Sequence, residues 1–247
     1  MIIAIANQKG GVAKTTTTIC LGGLLAVESR TLAIDLDPQG NMTTGLKIQV
    51  TTEPTSYEVI TERIPIKDAI VRASAKIDLV PADINLAKGE PEIISKVGNF
   101  YLLRDAIETV KTEYSHILID CPPSLGLLTI NALSAADLVL IPVQCQFFAL
   151  KGLAALLETI GSVQKRLNPQ LKILGVLPTM AEKNTVMTQD VLSSLHSKLP
   201  DIQIFKPVPK SVKFPESNVA GLPIHLYAQD PKLIEPYQAI VKALGAK

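Results

Sequence analysis

Residues 7–16, NQKGGVAKTT, directly follow the apolar run MIIAIA and precede a segment with helical periodicity. A buried strand, a glycine-containing loop and a helix in this order are typical of the phosphate-binding corner of open α/β sheets. The loop departs from the usual pattern G-x-x-x-x-G-K-[ST], because Gln8 and Ala13 stand at the two glycine positions. It also contains a second lysine, Lys9, in addition to Lys14. The stretch therefore raises two questions: whether it still binds phosphate, and what Lys9 does.

The residue types in this loop support nucleotide binding. Gly10 and Gly11 allow successive N–H groups to converge on an anion, and the following helix contributes the positive end of its dipole. Lys14 is placed to reach the β- and γ-phosphate oxygens, and the Thr15 hydroxyl can ligate Mg²⁺. Ala13 keeps its N–H donor, and we expect its Cβ to be tolerated because φ stays negative there. The predicted nucleotide-contacting residues of the loop are Gly10, Gly11, Val12, Ala13, Lys14, Thr15 and Thr16.

Carboxylates follow two other predicted strands. Asp35 and Asp37 occur in DLDPQGN at residues 35–41, and Asp120 ends the apolar run of ILIDCPPS at residues 117–124. Because the carboxyl ends of parallel strands meet at one edge of a sheet, these acids should face the same crevice as the loop. Asp120 is the expected partner of Mg²⁺ through water, and Asp37 is suited to orient an attacking water. A chance glycine turn, or a solvated D-x-D turn, is the weaker interpretation because three strand ends agree.

The order of elements predicts the fold class. Seven segments are too apolar to have one wet face, at residues 1–6, 31–35, 77–82, 116–120, 138–143, 171–179 and 202–205. Amphipathic helical segments lie between several of them, at residues 15–29, 100–111, 150–167 and 186–199. This alternation predicts an α/β fold with a single doubly wound, mostly parallel sheet and helices on both faces, with residues 1–247 as one domain. The weakly patterned segment 47–72, which contains Pro54 and Pro65, is expected to be irregular.

Composition excludes several classes of protein. Of 247 residues, 47% are hydrophobic and 4% aromatic, which suits an aliphatic core and argues against an aromatic-rich carbohydrate-binding surface. The net charge of +1 means that any nucleic-acid contact must come from a local patch. Three distant cysteines predict free thiols in a reducing cytosol rather than a metal site. The chain opens on a strand-like run, and no apolar run reaches the ~20 residues of a membrane span, so a cytoplasmic protein is expected.

Taken together, KGGVAKTT, DLDPQGN and ILIDCPPS resemble the ParA/Soj branch of the deviant Walker-type P-loop ATPases, a superfamily that also includes MinD. The resemblance extends through LTINAL at 128–133, VQCQFFAL at 143–150, LPTM at 177–180 and PKSV at 209–212, and so covers essentially the whole chain. It implies an ATPase that uses ATP and Mg²⁺ and that forms an ATP-dependent homodimer.

The resemblance also implies roles for individual residues. Lys9 matches the signature lysine of the family, which implies that it reaches across a nucleotide-sandwiched dimer to the phosphates of the partner's ATP; the alternative is a solvated loop charge. By the same likeness, Asp37 assists hydrolysis, Asp35 supports the site and Asp120 acts on Mg²⁺ through water. Catalytic roles are thus expected for Lys9, Lys14 and Asp37, and metal binding for Thr15 and Asp120.

Three positions depart from the family pattern. Ala13 replaces the usual glycine, which puts turnover and loop flexibility in doubt. Lys151 stands where an acidic residue is more common, and its role is left open, with a surface helix charge favoured. Residues 181–184, AEKN, replace a stretch that usually contains Asp and Arg, so no base contact is assigned there.

Two charged segments bear on whether such an ATPase binds a membrane or DNA. The tail at 233–247 has Pro236 near its start, and the segment after it carries two lysines and no bulky apolar face beyond Ile240, Val241 and Leu244. It is therefore interpreted as a packing helix that ends the domain, and a membrane-binding helix of the MinD kind is not expected. Lys206, Lys210 and Lys213 lie within eight residues, with no acid in that segment before Glu216. The family likeness makes these lysines candidates for non-specific DNA contacts, whereas sequence alone favours a solvated loop.

We therefore expect a partition ATPase whose ATP-bound dimer holds nucleoid DNA and is released when a ParB-like partner stimulates hydrolysis. The cargo is left open between a plasmid, a chromosome origin and a protein organelle such as a carboxysome. Two alternatives remain: a MinD-like membrane-positioning ATPase, and a metabolic ATP-dependent ligase on the same fold, such as dethiobiotin synthetase. The adenine contacts are not assigned from sequence.

Overall fold

The computed structural model describes residues 1–52, 54–146, 149–183 and 185–245, without the side chains of 149–151. Within these ranges the core is a seven-stranded sheet with the strand order β3-β4-β2-β5-β1-β6-β7. All neighbouring strands are parallel except β3 and β4, which are antiparallel. The strands are β1 (Ile2–Ile5), β2 (Thr31–Asp35), β3 (Val71–Arg72), β4 (Ile77–Val80), β5 (His116–Asp120), β6 (Leu138–Gln144) and β7 (Lys172–Thr179).

Helices connect the parallel strands and cover the sheet. They are α1 (Lys14–Leu25), α2 (Asn41–Gly45), α3 (Ser56–Ile60), α4 (Leu86–Ile93), α5 (Leu102–Glu108), α6 (Leu127–Ala135), α7 (Ala149–Arg166), α8 (Val186–Lys198), α9 (Lys213–Ala220), α10 (Ile224–Tyr227) and α11 (Pro231–Ala243). Short 3-10 turns occur at Ile66–Ala69, Ser74–Lys76 and Lys111–Glu113. The mostly parallel α/β architecture predicted from the sequence is confirmed.

Both faces of the sheet are buried, which explains why its strands are apolar along their whole length. Along β1, Ile2 packs into the hydrophobic cluster on one face, whereas Ile3 packs into the cluster on the other. The second cluster also receives Tyr237 and Ile240 from α11, both of which are completely buried. The C-terminal helix is therefore a packing helix, as the sequence predicted. Among the described residues, none of the helices has the length and apolar character required to span a bilayer.

One predicted strand is wrong. Residues 202–205 form only an isolated parallel bridge, between Ile204 and Val176 of β7. Two hydrogen bonds hold the segment, from the Val176 N–H to the Gln203 carbonyl and from the Phe205 N–H to the Val176 carbonyl. The chain then passes through Pro207 and Pro209, whose nitrogens carry no hydrogen for a continued ladder. Hydrophobicity identified a segment that lies beside β7, but Pro207 and Pro209, which follow it directly, prevent a regular strand.

The edges of the sheet are short or covered. β3 contains two residues, so one edge offers little backbone for pairing. At the other edge, Ile204 bridges to β7, and Pro209 bridges to Ala181 just beyond β7. β3 and α3 lie in the segment 47–72, where the sequence predicted irregular structure; its regular elements are all short.

Candidate nucleotide and metal site

The loop between β1 and α1 is anchored to the neighbouring strands. The Asn7 side-chain amide donates to the Pro142 carbonyl of β6 at 2.7 Å, and its oxygen accepts the Lys9 N–H at 3.0 Å. On the other side, the Thr179 hydroxyl of β7 donates to the Val12 carbonyl at 3.1 Å. The loop is therefore held in shape by hydrogen bonds to the neighbouring strands.

Ala13 adopts a conformation opposite to the one expected. Its φ is +67° and its ψ is +33°, so the expectation of a negative φ is wrong. The chain needs a left-handed residue to turn into α1, where the Thr17 N–H donates to the Ala13 carbonyl at 2.9 Å. A Cβ in this region costs about 1–2 kcal/mol, which is why glycine is the usual solution. The alanine keeps the loop geometry and stores backbone strain at the start of α1.

Lys14 is the first residue of α1, and its side chain folds back over the loop. Its Nζ donates to the Lys9 carbonyl at 3.2 Å, and only 7% of the residue is exposed. Burial lowers the pKa of this ammonium, whereas the nearby carboxylates of Asp120 and Asp37 act in the opposite direction. A cation held in this position stabilises an anion bound by the loop N–H groups.

Two fully buried carboxylates lie side by side behind the loop, because the β2–β5 register pairs Asp35 with Asp120. Asp35 accepts hydrogen bonds from the Thr43 N–H at 2.9 Å, the Thr43 hydroxyl at 2.8 Å and the Asp37 N–H at 3.1 Å. Burial raises the pKa of Asp35 to about 6 despite these donors. Both oxygens of Asp35 are thus already occupied by donors from the protein.

Asp120 is less well satisfied. Its Oδ1 accepts a hydrogen bond from the Thr18 hydroxyl at 3.3 Å, but its buried Oδ2 has no partner among the described residues. Burial and the adjacent Asp35 raise the pKa of Asp120 to about 8, whereas the nearby Thr15 hydroxyl acts to lower it. A bare carboxylate oxygen beside a threonine hydroxyl matches the oxygen donors that Mg²⁺ prefers. The structure therefore brings together the two residues predicted to act on the metal.

No group of three or more His, Cys, Asp or Glu side chains in the described ranges could hold a metal by itself. This arrangement suits Mg²⁺, which commonly binds through one or two protein ligands together with substrate phosphates and water. The residues present fit a magnesium ion that is completed by a phosphate ligand.

Asp37 and Lys9 lie at the rim of the site. Asp37 lines the cleft, and its Oδ1 accepts the Gln39 N–H at 3.0 Å. Lys9 is half-buried, and its Nζ donates to the amide oxygen of Gln146 at 3.3 Å. The Lys9 side chain is thus held by a neutral group beside the cleft.

The loop opens onto a cleft of about 640 Å³. Most predicted nucleotide contacts line it, whereas Val12 is buried beneath it and Asp35 and Asp120 lie behind it. The predicted residues along its wall are Gly10, Gly11, Ala13, Lys14, Thr15, Thr16 and Asp37. Sequence reasoning missed Gln39, Asn41, Thr44, Lys47, Pro123, Met180 and Asn218, which also line it.

An apolar pocket of about 410 Å³ adjoins this cleft and shares Ala13, Thr16, Met180 and Asn218 with it. Its other walls include Val208, Pro209, Phe214 and Pro215. The Asn218 side chain donates to the Thr16 hydroxyl at 3.4 Å, while its own oxygen is buried with no partner in the described part of the chain. Of these residues, Val208, Phe214, Pro215 and Asn218 lie outside the motifs KGGVAKTT, LPTM and PKSV recognised in the sequence.

The three candidate DNA-binding lysines are exposed, and each pairs with a glutamate. Lys206 contacts Glu235 at 2.5 Å, and Lys210 contacts Glu182 at 2.6 Å. Lys213 contacts Glu216 at 3.1 Å. Glu235 and Glu182 come from distant segments of the sequence. They could therefore not be recognised as partners from the acid-free stretch between 206 and 215. The side chain of Lys151 and the whole of Asn184 lie outside the described residues.

Comparisons with known proteins agree with this geometry. A family model described as AAA domain matches residues 1–173. The sporulation initiation inhibitor protein Soj of Bacillus subtilis is 43% identical over 249 residues, covering 99% of this chain and 98% of Soj. A McdA variant from Cyanothece, solved in complex with ATP, is 26% identical, with a TM-score of 0.94 and coverage of 100% and 96%. A cobyrinic acid a,c-diamide synthase from Mycobacterium smegmatis, solved with ADP and magnesium, is 35% identical, with a TM-score of 0.87 and coverage of 98% and 93%.

Proposed function

We propose a function from the premise that this chain belongs to the ParA/Soj family of P-loop ATPases. The protein binds ATP with Mg²⁺, hydrolyses it to ADP and phosphate, and uses this reaction in partition or positioning of a cargo. One observation carries the proposal: the loop, the Lys14 ammonium and the bare Oδ2 of Asp120 converge at the carboxyl ends of the adjacent strands β1 and β5.

Different residues of the cleft have different roles in ATP hydrolysis. The N–H groups around Gly10 and Gly11 and the ammonium of Lys14 stabilise the charge of the transferred phosphoryl group. Thr15 and, through water, Asp120 hold Mg²⁺, which supplies a positive charge to the phosphate oxygens. Asp37 orients the attacking water from the rim of the cleft.

The apolar pocket is the proposed adenine site. Its lining by Met180, Val208 and Pro209 suits a flat aromatic ring, and it opens directly beside the loop. The unpartnered side-chain oxygen of Asn218 can accept a hydrogen bond from the adenine amino group. This assignment gives the buried Asn218 oxygen a hydrogen-bond partner.

Lys9 is proposed to join two protomers through ATP. A neutral amide holds its ammonium at 3.3 Å, which is a weaker attachment than a carboxylate would give. The triphosphate of a second protomer therefore offers Lys9 a better partner than Gln146 does. Dimerisation then depends on ATP, in line with the family resemblance.

DNA binding is proposed for the surface that carries Lys206, Lys210 and Lys213. Their ion pairs are exposed, and such pairs contribute only about 0–1 kcal/mol, so a phosphate backbone can displace the glutamates. Contacts of this kind give affinity without base readout and weaken steeply with salt. A ParB-like partner then stimulates hydrolysis and releases the dimer from nucleoid DNA.

A metabolic ligase is the second candidate, because a structure 35% identical to this chain is named as cobyrinic acid a,c-diamide synthase. The two candidates differ in what accelerates ATP hydrolysis. A partition ATPase should respond to non-specific duplex DNA together with a ParB-like partner, whereas a ligase should respond to a carboxylate substrate. Co-sedimentation with liposomes in the presence of ATP separates the membrane-positioning alternative.

Two variants test the proposed roles. Lys14→Ala should weaken ATP binding by more than about 100-fold, since a buried cation on the phosphates is lost. Asp37→Ala should bind ATP and dimerise normally but stay on DNA, because hydrolysis stalls. ATP binding is followed by equilibrium titration, dimerisation by light scattering and turnover by phosphate release. Lys111→Ala, which removes an exposed lysine paired with Glu108, is the control.

An Asp37→Ala protein that hydrolyses ATP at the wild-type rate would refute the role of Asp37. A wild-type protein that stays monomeric with Mg²⁺, ATP and DNA would refute the proposed switch.

A further inference from the structure

The first turn of α6 is held by a side chain from another helix. α6 begins after Gly126, which has no side chain to cap it. The Leu128 N–H instead donates to Oε1 of Glu90, on α4, at 2.9 Å. A carboxylate in this position accepts a charge-assisted hydrogen bond and faces the positive end of the helix dipole. Glu90 thus caps a helix to which it does not belong.

Gly126 provides the space for this carboxylate. A Cβ at position 126 would lie 2.5 Å from Oε1 of Glu90, closer than two such atoms can approach. The φ of Gly126 is −76°, which any residue adopts, so a Cβ at this position is opposed only by the Glu90 carboxylate, which would have to leave its place at the start of α6. Glu90 and Gly126 therefore form a matched pair between distant segments of the chain.

The capped helix continues directly from the loop at 121–126, which follows Asp120 and borders the cleft. Pro123 of this loop lines the cleft, and a Cβ on Gly10 would lie 3.9 Å from the Pro123 Cβ. From α6, the Thr129 hydroxyl donates to the Ser124 carbonyl at 2.7 Å. The first turns of α6 therefore hold the loop, and a displacement of the helix moves Pro123 relative to the phosphate-binding loop.

α4 is itself fixed to its surroundings by a second carboxylate. Glu92 accepts hydrogen bonds from the Tyr57 hydroxyl at 2.7 Å and from Arg63 at 3.1 Å. These partners lie in and just after α3, so Glu92 stabilises α4 through a different neighbour. The two glutamates of one helix thus offer a matched comparison, in which only Glu90 hydrogen-bonds to α6.

We propose that Glu90 is a positioning residue for ATP hydrolysis, which fixes the loop between Asp120 and Gly126 against the phosphate-binding loop by capping α6. The inference rests on the proposed ATPase function. Because the loop lies between Glu90 and the cleft, the residue acts on the geometry of turnover and has little effect on ATP affinity.

Steady-state kinetics of three variants test this role. Glu90→Ala should lower kcat about fivefold, which is the rate factor that corresponds to the free energy of one lost helix cap. The KM for ATP should stay within about twofold of wild type. Glu90→Gln, which keeps an acceptor oxygen, should recover most of the rate. Glu92→Ala should lower the melting temperature and leave kcat unchanged. A folded Glu90→Ala protein with wild-type kcat, or an equal loss of kcat in Glu92→Ala, would overturn the proposal.

A double-mutant cycle tests the cap without catalysis. Gly126→Ala should lower the melting temperature in the wild-type background and lower it less in the Glu90→Ala background, where its steric partner is gone. Equal losses in both backgrounds would show that Glu90 does not hold α6. If the wild-type protein has no ATPase activity, the catalytic part of the inference fails with the proposed function, and the cycle still decides the cap.

Discussion

Two buried aspartates at opposite ends of the sheet differ in how completely their charges are satisfied. Asp78, near the amino end of β4, accepts hydrogen bonds from Arg72 at 2.6 Å, Tyr114 at 3.0 Å and Arg30 at 3.3 Å. Burial alone would raise the pKa of Asp78, but these donors lower it overall. At the carboxyl end of β5, burial and a neighbouring carboxylate instead raise the pKa of Asp120 to about 8.

The comparison distinguishes a carboxylate that the protein satisfies by itself from one that is left without a partner. The donors around Asp78 come from the chain itself, so the charge of this carboxylate near the amino end of β4 is satisfied by the fold. At the carboxyl ends, the bare oxygen of Asp120 and the strained backbone of Ala13 are costs that folding alone does not offset. A bound cation and triphosphate would remove the first of them, which is the usual pattern at functional sites.

The largest expected effect on stability comes from removing the satisfied carboxylate, Asp78. Asp78→Ala should lower the free energy of unfolding by about 2 kcal/mol, because two guanidinium groups and a buried hydroxyl lose their acceptor. Chemical denaturation measures this loss, and ATP affinity should be unchanged. Asp105→Ala, which removes an exposed partner of Arg104, is the control and should change stability little. A loss of ATP binding in folded Asp78→Ala would contradict the division between the two ends.

A smaller change in the free energy of unfolding, of order 1 kcal/mol, is expected when the pH is changed. The folded pKa of Asp120 lies above its ordinary value, so the folded state binds more protons than the unfolded chain. Stability of the nucleotide-free protein should therefore fall as pH rises from about 6 to about 8. Thermal melting across this range tests the sign, and Asp120→Asn should flatten the slope. Asp78 should act oppositely, because its lowered pKa contributes stability that is lost at acidic pH.

An unchanged slope in Asp120→Asn would show that another group causes the loss of stability as pH rises through this range. Asp35, whose pKa is raised to about 6, is the nearest such group. Asp35→Asn, measured in parallel, distinguishes the two carboxylates.

The smallest effect should come from relieving strain at the functional end. Ala13→Gly removes a Cβ from the left-handed region, which outweighs the greater entropy of glycine in the unfolded chain, for a net gain of roughly 0.5 kcal/mol. Ala26→Gly, at the other end of α1 where φ is −71°, should instead destabilise the protein by a similar amount. Equilibrium denaturation of both variants provides the measurement. A destabilising Ala13→Gly would mean that the strain is compensated by packing of the methyl group.

Much of the fold followed from local sequence, because strands buried on both faces are apolar along their whole length. Six of the predicted apolar segments overlap strands of the sheet, whereas 202–205 does not continue as one. β3 was missed because two residues carry no periodicity, and α4 was missed because it contains Pro91. These elements owe their structure to tertiary contacts rather than to pattern.

The site was predictable where its residues follow strands in sequence. Asp120 ends β5, Asp37 follows β2 by two residues, and Lys14 and Thr15 begin α1 directly after the loop that follows β1. Motif spacing therefore located them. The apolar pocket was not predictable, because Met180, Pro209 and Asn218 meet only after the chain has folded. The left-handed φ of Ala13 and the glutamates beside the three lysines are likewise consequences of tertiary structure.

The closed edges of the sheet limit how copies of this chain can assemble. β3 is two residues long, and the segment around Ile204 and Pro209 occupies the β7 side. Growth of a continuous intermolecular sheet is therefore disfavoured at both borders. Self-association is left to side-chain surfaces, where it can be reversed within a reaction cycle rather than locked in by a backbone ladder.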